Sequence, residues 1–542
     1  MPILRRRTLL TLPILTAAGI PALAACSGKD PSDNGEGGTA SAPATAPTGW
    51  QSLTGSIMGH SVTVEVAPLV RMDESTTMLP LRITRAADDA NTGELDLDER
   101  WRKHGRTTSL SALHVIDVEG SRLWDALSGV DFDEKLAGIQ PGQTIVRCAT
   151  FGGVDVDHVT AWVPMLGYPV VKVMSRDEAA SVLGSDVDLD AALEDASLDL
   201  YSSFHSRSLD DGRSPAGVEA FTRTLDDSTA SRTTTASITT ILASDVTFEF
   251  GKYDLTAQAD TQLQTVAGQL ASYPSGGELS IVGHTDDQAD EAFNQTLSEQ
   301  RAAAVRKRLG ELTDLSAWSV TEQGKGEKEP AVQGTDDAAR ATNRRVVITL
   351  TPTGGTTTTS TSSASPSATA SDDALPEAKG PVGSGAGSAL TVPSDDGSVS
   401  PSITVESITR RDGLLLGRLT ITGNTENTVA RAWFEDNSDI GGIFANSRGE
   451  DGDSFPFAGL DGVTLLAGGL RYMPCDYIIG GRGYHRPLAD TQLHWGITGG
   501  TSMAFVIWPD VGQDTLIVDH QEGARSGAEQ PWRITDVSVT AS

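Results

Sequence analysis

The stretch Gly283 to Arg301, G-H-T-D-D-Q-A-D-E-A-F-N-Q-T-L-S-E-Q-R, gathers the residue types needed to recognise a small dipolar ligand. Asp286 stands at the end of an apolar run, Leu279 to Gly283, that reads as a strand. Asn294, Leu297, Arg301 and Val305 follow at helical spacing and share one face. Leu297, Val305, Leu309 and Leu312 make that face the packed one, so Arg301 is expected on a core-facing stripe. An unpaired guanidinium there is costly to desolvate, and the carboxylate of Asp286 is its expected partner. A strand-end anion beside a helix cation suits a ligand that carries both an ammonium and a carboxylate. The plainer alternative is an internal ion pair that only braces strand against helix. Asp286→Ala would then cost stability, whereas at a ligand site it would cost binding.

Other chemistries find less support. His284, Asp286 and Asp287 lie close together, but no distant His or Cys cluster completes a coordination set, so no metal is expected there. Gly324-Lys-Gly326-Glu-Lys328 lacks the ending of a phosphate loop and reads as a turn. No nucleophile elbow, H-E-x-x-H or Ser/His/Asp pattern is visible, so the chain is expected to have no catalytic residues, no cofactor and no enzymatic activity. An enzyme hidden in one of the strand-rich regions is the least favoured reading.

The elements that position the site follow from periodicity. Val246 to Phe250 reads as a strand. Thr256 can cap a helix with Leu263, Val266, Ala267 and Leu270 on one face. Trp318 to Gln323 and Arg345 to Leu350 read as the last strands. Strands alternating with helices predict an α/β layer, helices packed on one sheet. Alternation points Arg344 toward the side of Val346 and Ile348 and Arg345 to the other, so at most one reaches the pocket. Arg345 is taken as the rim residue.

Four motifs in order, G-H-T-D, N-x-x-L-S-x-x-R-A, G-x-G-E-x-x-P (Gly324 to Pro330) and N-R-R-V (Asn343 to Val346), resemble the OmpA-like C-terminal domain, a peptidoglycan-binding module, over about residues 239–352. The resemblance implies a β-α-β-α-β sandwich in which Asp286 and Arg301 hold the ammonium and carboxylate of the stem-peptide diamino acid. It also implies that Thr285 and Asn294 line the same pocket. The family usually has glycine three residues after the aspartate, where this chain has Ala289, so the loop rim is expected to differ.

The whole chain has 542 residues and a formal charge of −32, which argues against nucleic acid as a partner. Arg5, Arg6 and Arg7, a short apolar core and Leu23-Ala24-Ala25-Cys26 read as a lipoprotein signal over residues 1–26, with Cys26 the lipidated residue. Arg6-Arg7 also permits twin-arginine export. Ser27 after the cysteine points to the outer membrane if the cell has one. Residues 27–49 read as a flexible tether spanning about 25 Å. Residues 50–180 alternate like a β-sandwich, with a polar insert at 86–107 read as a loop. Residues 181–238 read as an acidic connector with a short helix at Ala191 to Phe204, and 353–400 as a Ser/Thr/Pro/Gly-rich linker.

Residues 401–542 echo the first strand-rich region. Thr63-Val64-Glu65, Arg71-x-Asp73 and Leu81-x-Ile83-Thr84 align with Thr404-Val405-Glu406, Arg410-x-Asp412 and Leu419-x-Ile421-Thr422. Asp157-x-Val159-x-Ala161 parallels Asp514-x-Leu516-x-Val518. These read as two copies of one domain resembling immunoglobulin-like sandwiches. Cys148 and Cys475 are expected as buried free thiols. The architecture is thus multi-domain, a central α/β module flanked by two all-β sandwiches. The expected protein is exported, lipid-anchored and facing the cell wall, and it ties membrane to peptidoglycan. In the alternative, the sandwiches bind an unknown protein partner and carry the main activity, while the wall module only positions them.

Overall fold

The computed structural model describes residues 46–97, 101, 110–127, 138–194, 214–249, 251–356, 375–394, 397, 399–423, 459–479, 484–490, 493, 500–520 and 530–541. The expected signal, Cys26 and nearly all of the tether therefore lie outside the described residues, as do 98–100 and 102–107 of the polar insert. The insert's described part is anchored: Asp89 accepts from His60 and Arg85, and Leu95, Leu97 and Trp101 are buried.

The first region contains β1 (Gln51–Ile57), β2 (His60–Val66), β3 (Leu69–Arg71), β4 (Thr76–Arg85), β5 (His114–Asp117), β6 (Arg122–Asp125), β7 (Thr144–Gly152), β8 (His158–Trp162) and β9 (Val170–Ser175). Alternation explains them: Val62, Val64 and Val66 are buried while Ser61, Thr63 and Glu65 turn outward. One ladder runs β1-β2-β4-β7, all antiparallel. The other runs β6-β5-β8-β9, with β3 parallel to β9.

The centre contains β10 (Ala216–Thr224), β11 (Thr229–Thr233), β12 (Ile238–Ala243), β13 (Gly277–Gly283), β14 (Trp318–Gly324) and β15 (Arg345–Pro352). Its helices are α1 (Ala257–Ala271), α2 (Glu291–Leu312) and α3 (Asp337–Asn343). The sheet order is β10-β11-β12-β15-β13-β14, antiparallel except for β13 with β14. Leu263, Val266 and Leu270 of α1 and Ala302, Val305 and Leu309 of α2 pack on Leu279, Ile281, Val346, Ile348 and Leu350. Thr256 caps α1 and Asp290 caps α2 by accepting a backbone N–H.

The last region contains β16 (Val382–Ser384), β17 (Ala389–Thr391), β18 (Ser402–Arg411), β19 (Leu414–Thr422), β20 (Thr464–Ala467), β21 (Leu470–Tyr472), β22 (Asp476–Ile479), β23 (Tyr484–Pro487), β24 (Thr501–Pro509), β25 (Thr515–His520) and β26 (Trp532–Ala541). Its ladders run β17-β18-β19-β24 and β21-β20-β25-β26, with β18 parallel to β26. This pairing scheme repeats that of the first region, β18 standing for both β2 and β3. Arg71 and Arg410 also do the same job, each donating to a carbonyl just before the equivalent strand, Val154 and Gln513 respectively.

Three expectations need correction. Val246 to Glu249 does not form a strand. Ser244–Thr247 is a helical turn, Phe248 makes only an isolated bridge to Leu255, and Phe250 lies outside the described residues. The first strand of the predicted module is instead β12, one element earlier. The acidic connector carries β10 and β11, whose Ser, Thr and Arg residues are half-buried and so show no apolar alternation. Helix occupies 189–194 of it, and the rest of the expected helix lies outside the described residues. The second half of the expected linker carries β16, parallel to β26, and β17, antiparallel to β18.

Strand β10 joins all three regions. Its start pairs with β6 and β22, and its end with β21 and β11. Beside it, Ile116, Leu123 and Trp162 of the first region share a core with Leu416, Tyr477, Phe505 and Ile507 of the last. Across the same seam Asp490 accepts backbone N–H groups from Met165 and Phe505, and Tyr168 donates to the carbonyl of Gly417. The last region is therefore docked on the first. Cys148 is half-buried and Cys475 buried, both as free thiols; burial pushes the Cys148 thiol up to about 12.

Candidate functional site

The site is set by how closely α2 approaches two strand ends. A Cβ on Gly283 would stand 2.2 Å from the carbonyl oxygen of Ser298, and one on Gly324 would stand 2.4 Å from the amide nitrogen of Glu299. Only glycine allows this backbone contact. Gly326 takes φ +56° and donates its N–H to Ser298 Oγ at 2.9 Å, while its carbonyl accepts from Thr285 N at 2.9 Å. The G-x-G-E turn thereby fixes the G-H-T-D strand end against the helix that carries Arg301.

Arg301 is 4% exposed, on the core-facing stripe expected of it. Asp286 is not its ion-pair partner. The Asp286 carboxylate bonds Arg344 Nη1 at 2.6 Å, and Arg344 grips Asp245 with two further bonds of 2.7 and 2.6 Å. Arg301 donates Nε–H to the carbonyl of Lys252 at 3.0 Å and lies 5.1 Å over the ring of Phe248. Among the described residues no carboxylate lies within 4.0 Å of it, and its two terminal nitrogens carry no hydrogen bond without being sealed from solvent. Burial pulls its pKa below the usual arginine range. The fields of Asp245 and Asp286 oppose that shift, while Arg344 adds to it. Arg344 is shifted the other way, upward, chiefly by its hydrogen bonds to Asp245.

The other expected residues divide. Thr285 is buried at the strand end, and its hydroxyl has no hydrogen-bond partner. Asn294 spends its amide donors on the carbonyls of Asp286 (3.1 Å) and Ala289 (3.3 Å) and on Glu327 Oε2 (2.7 Å). It therefore positions the Asp286 loop. Ala289 is not among the residues with positive φ, so alanine fits that loop without strain. Arg345 does not reach the cluster: it donates to the carbonyls of Asn343 and Glu329 on the opposite face. Burial lowers it to about 10. Burial and the charge of Arg345 together push His284 down to about 4, leaving a neutral ring beside the site. Arg344 is the residue that sequence reasoning passed over. Alternation had already placed it on the helix side, and it extends from the end of α3 ahead of β15.

Residues 247–344 match the sequence profile of the OmpA family. Over 102 residues the chain is 35% identical to outer membrane porin F of Pseudomonas aeruginosa, covering 19% of this chain and 29% of that protein. Over 110 residues it is 31% identical to the lipoprotein YfiB of Escherichia coli (strain K12), covering 20% of this chain and 68% of that protein. A solved structure, the peptidoglycan-associated lipoprotein from Burkholderia pseudomallei, is 30% identical over 21% of this chain and 87% of that one, with a TM-score of 0.17. The chain belongs to the OmpA family through its central region, while it spans less than a third of the length of porin F.

Proposed function

We propose that the chain grips the stem peptide of peptidoglycan without making or breaking a bond, and that it ties a membrane to the cell wall. The observation that carries this reading is a buried guanidinium with two unengaged terminal nitrogens, beside the carboxylate of Asp286. A group with a carboxylate and an ammonium on neighbouring atoms would satisfy both. The carboxylate takes the Arg301 nitrogens as a fork. The ammonium shares Asp286 with Arg344, which keeps Asp245. The hydroxyl of Thr285 supplies a further donor or acceptor. The diamino acid of a stem peptide has such an end, and membership of the OmpA family through the central region supports the reading.

In the same reading Cys26 carries a diacyl anchor, residues 27–49 give reach, and the repeated strand pairing of residues 50–175 and 401–541 reflects two immunoglobulin-like sandwiches. The test is retention of the full chain on purified sacculi, comparing wild type with Asp286→Ala, Arg301→Ala and, as a control outside the cluster, Arg345→Ala. Loss in the first two alone supports the grip; equal retention of all four removes it.

A further inference from the structure

A second polar cluster lies at the seam between the central sheet and the last region. Glu219 of β10, Arg232 of β11, Asp476 of β22 and His485 of β23 are brought together there by the β10–β11, β10–β22 and β22–β23 pairings. Glu219 and Asp476 are buried, and the His485 side chain is 10% exposed. His485 Nδ1 lies 2.7 Å from Asp476 Oδ2 and 3.6 Å from Glu219 Oε2, and the three ligating atoms are within 4.8 Å of one another. Arg232 Nη1 enters the same space. It bonds Glu219 Oε2 and stands 2.9 Å from His485 Nδ1 and 3.6 Å from Asp476 Oδ2.

These contacts conflict. A guanidinium nitrogen only donates, so its approach to Nδ1 needs the imidazole lone pair. While Asp476 is ionised, the approach of the same Nδ1 to its carboxylate needs a proton on Nδ1. No single tautomer of His485 satisfies both. Three lone pairs converging on one point would be satisfied together by a metal cation. Two carboxylates and a neutral imidazole sum to −2, the charge a divalent cation cancels. Bonds of about 2.0–2.1 Å around tetrahedral zinc imply ligand–ligand edges of about 3.3 Å, a length between the 2.7 and 3.6 Å that separate His485 Nδ1 from Asp476 Oδ2 and Glu219 Oε2. The donor set, two oxygens and one nitrogen, belongs to Zn2+ and its first-row neighbours, with a fourth position left for water.

We propose that Glu219, Asp476 and His485 bind a divalent transition-metal cation of the zinc class, with Arg232 as a resident cation that withdraws when the metal enters. The Arg232 side chain is 14% exposed, so it already borders solvent, although its guanidinium also lies 5.6 Å over the buried ring of Phe221. The bound ion would pin β10 of the central sheet to the β22–β23 hairpin.

The full chain, stripped with a chelator and then dialysed, is titrated with Zn2+ alone by calorimetry as wild type, His485→Gln, Asp476→Asn and Arg232→Gln. Circular dichroism confirms the fold of each variant. The expected result is one saturable site per chain. It weakens at least about tenfold in His485→Gln and Asp476→Asn and tightens about tenfold in Arg232→Gln, as removal of a competing neighbour should. No saturable site in the wild type, a site that survives in His485→Gln, or Arg232→Gln binding no more tightly would each overturn the proposal. If the first two variants fail to fold, Arg232→Gln decides alone.

Discussion

Replacing Arg301 with methionine separates a ligand-binding cation from a structural one. Two contacts stabilise the buried guanidinium. Its hydrogen bond to the Lys252 carbonyl is worth about 1.5–3 kcal/mol for a charged donor. Its seat over Phe248 is worth about 0.5–2 kcal/mol. Against them stands the cost of desolvating an ion, several kcal/mol, with no carboxylate among the described residues at contact distance to offset it. These terms nearly cancel. Methionine, unbranched and able to pack on the Phe248 ring, is therefore expected to leave stability within about 1 kcal/mol of wild type or to raise it. Binding behaves differently. Losing a charge-assisted bond to a ligand carboxylate costs about 1.5–3 kcal/mol, roughly a 10- to 150-fold loss of affinity. The assay pairs thermal unfolding of the full chain with its retention on purified sacculi. If Arg301→Met melts several degrees lower and is retained as well as wild type, Arg301 is a brace and the reasoning fails.

Asn294→Ala should behave in the opposite way, losing about 1–3 kcal/mol of stability and binding together, because it frees the Asp286 loop from α2; wild-type melting with normal retention would contradict the positioning role. His284 has a folded-state pKa of about 4, below its unfolded value, so the unfolded chain binds more protons between the two. Stability should therefore fall as pH drops from about 6.5 through about 4, by up to about 1.4 kcal/mol per unit, and melting curves of His284→Gln should show a shallower slope. Asp490 has the reverse sign. Burial raises it to about 7, against the pull of the N–H groups of Phe505 and Met165. Its contribution is complete below about pH 4 and fades as pH rises through about 7. Asp490→Asn should then melt higher than wild type at pH 8 and equally at pH 4; equal melting at both would show that the carboxylate does not strain the seam.

What the sequence revealed of the site depended on which physical signal each residue carried. Arg301 was legible because helical spacing alone places it among Leu297 and Val305, and both are buried with it. Its relation to Asp286 was not legible, because Arg344 stands between them electrically and is held there by Asp245, ninety-nine positions away. No local pattern records such a contact. The Phe248 segment misled for a related reason. Its apolar residues alternate, but Phe248 is buried under a guanidinium, and the backbone ahead of it turns helical. Strands β10 and β11 went unseen because sheet pairing on both sides supplies much of their stability: every residue of β11 is half-buried, and β10 buries the adjacent Val218 and Glu219, which breaks any alternation.

Arg344 also changes how the site must work. Asp245, Asp286, Arg301 and Arg344 sum to zero charge, yet the charges are unevenly satisfied. Asp286 and Arg344 are paired and Asp245 is engaged twice, while Arg301 keeps both terminal nitrogens unengaged. A simple amine gains little here, because it must compete with Arg344 for Asp286 and leaves Arg301 as it was. A simple carboxylate satisfies Arg301 but brings an uncompensated negative charge into a partly buried site. A ligand bearing both groups satisfies Arg301 and keeps the site neutral, since its ammonium stands beside Asp286 as its carboxylate reaches the fork. The proposed preference for a dipolar end thus rests on charge balance over four residues rather than on one aspartate–arginine pair.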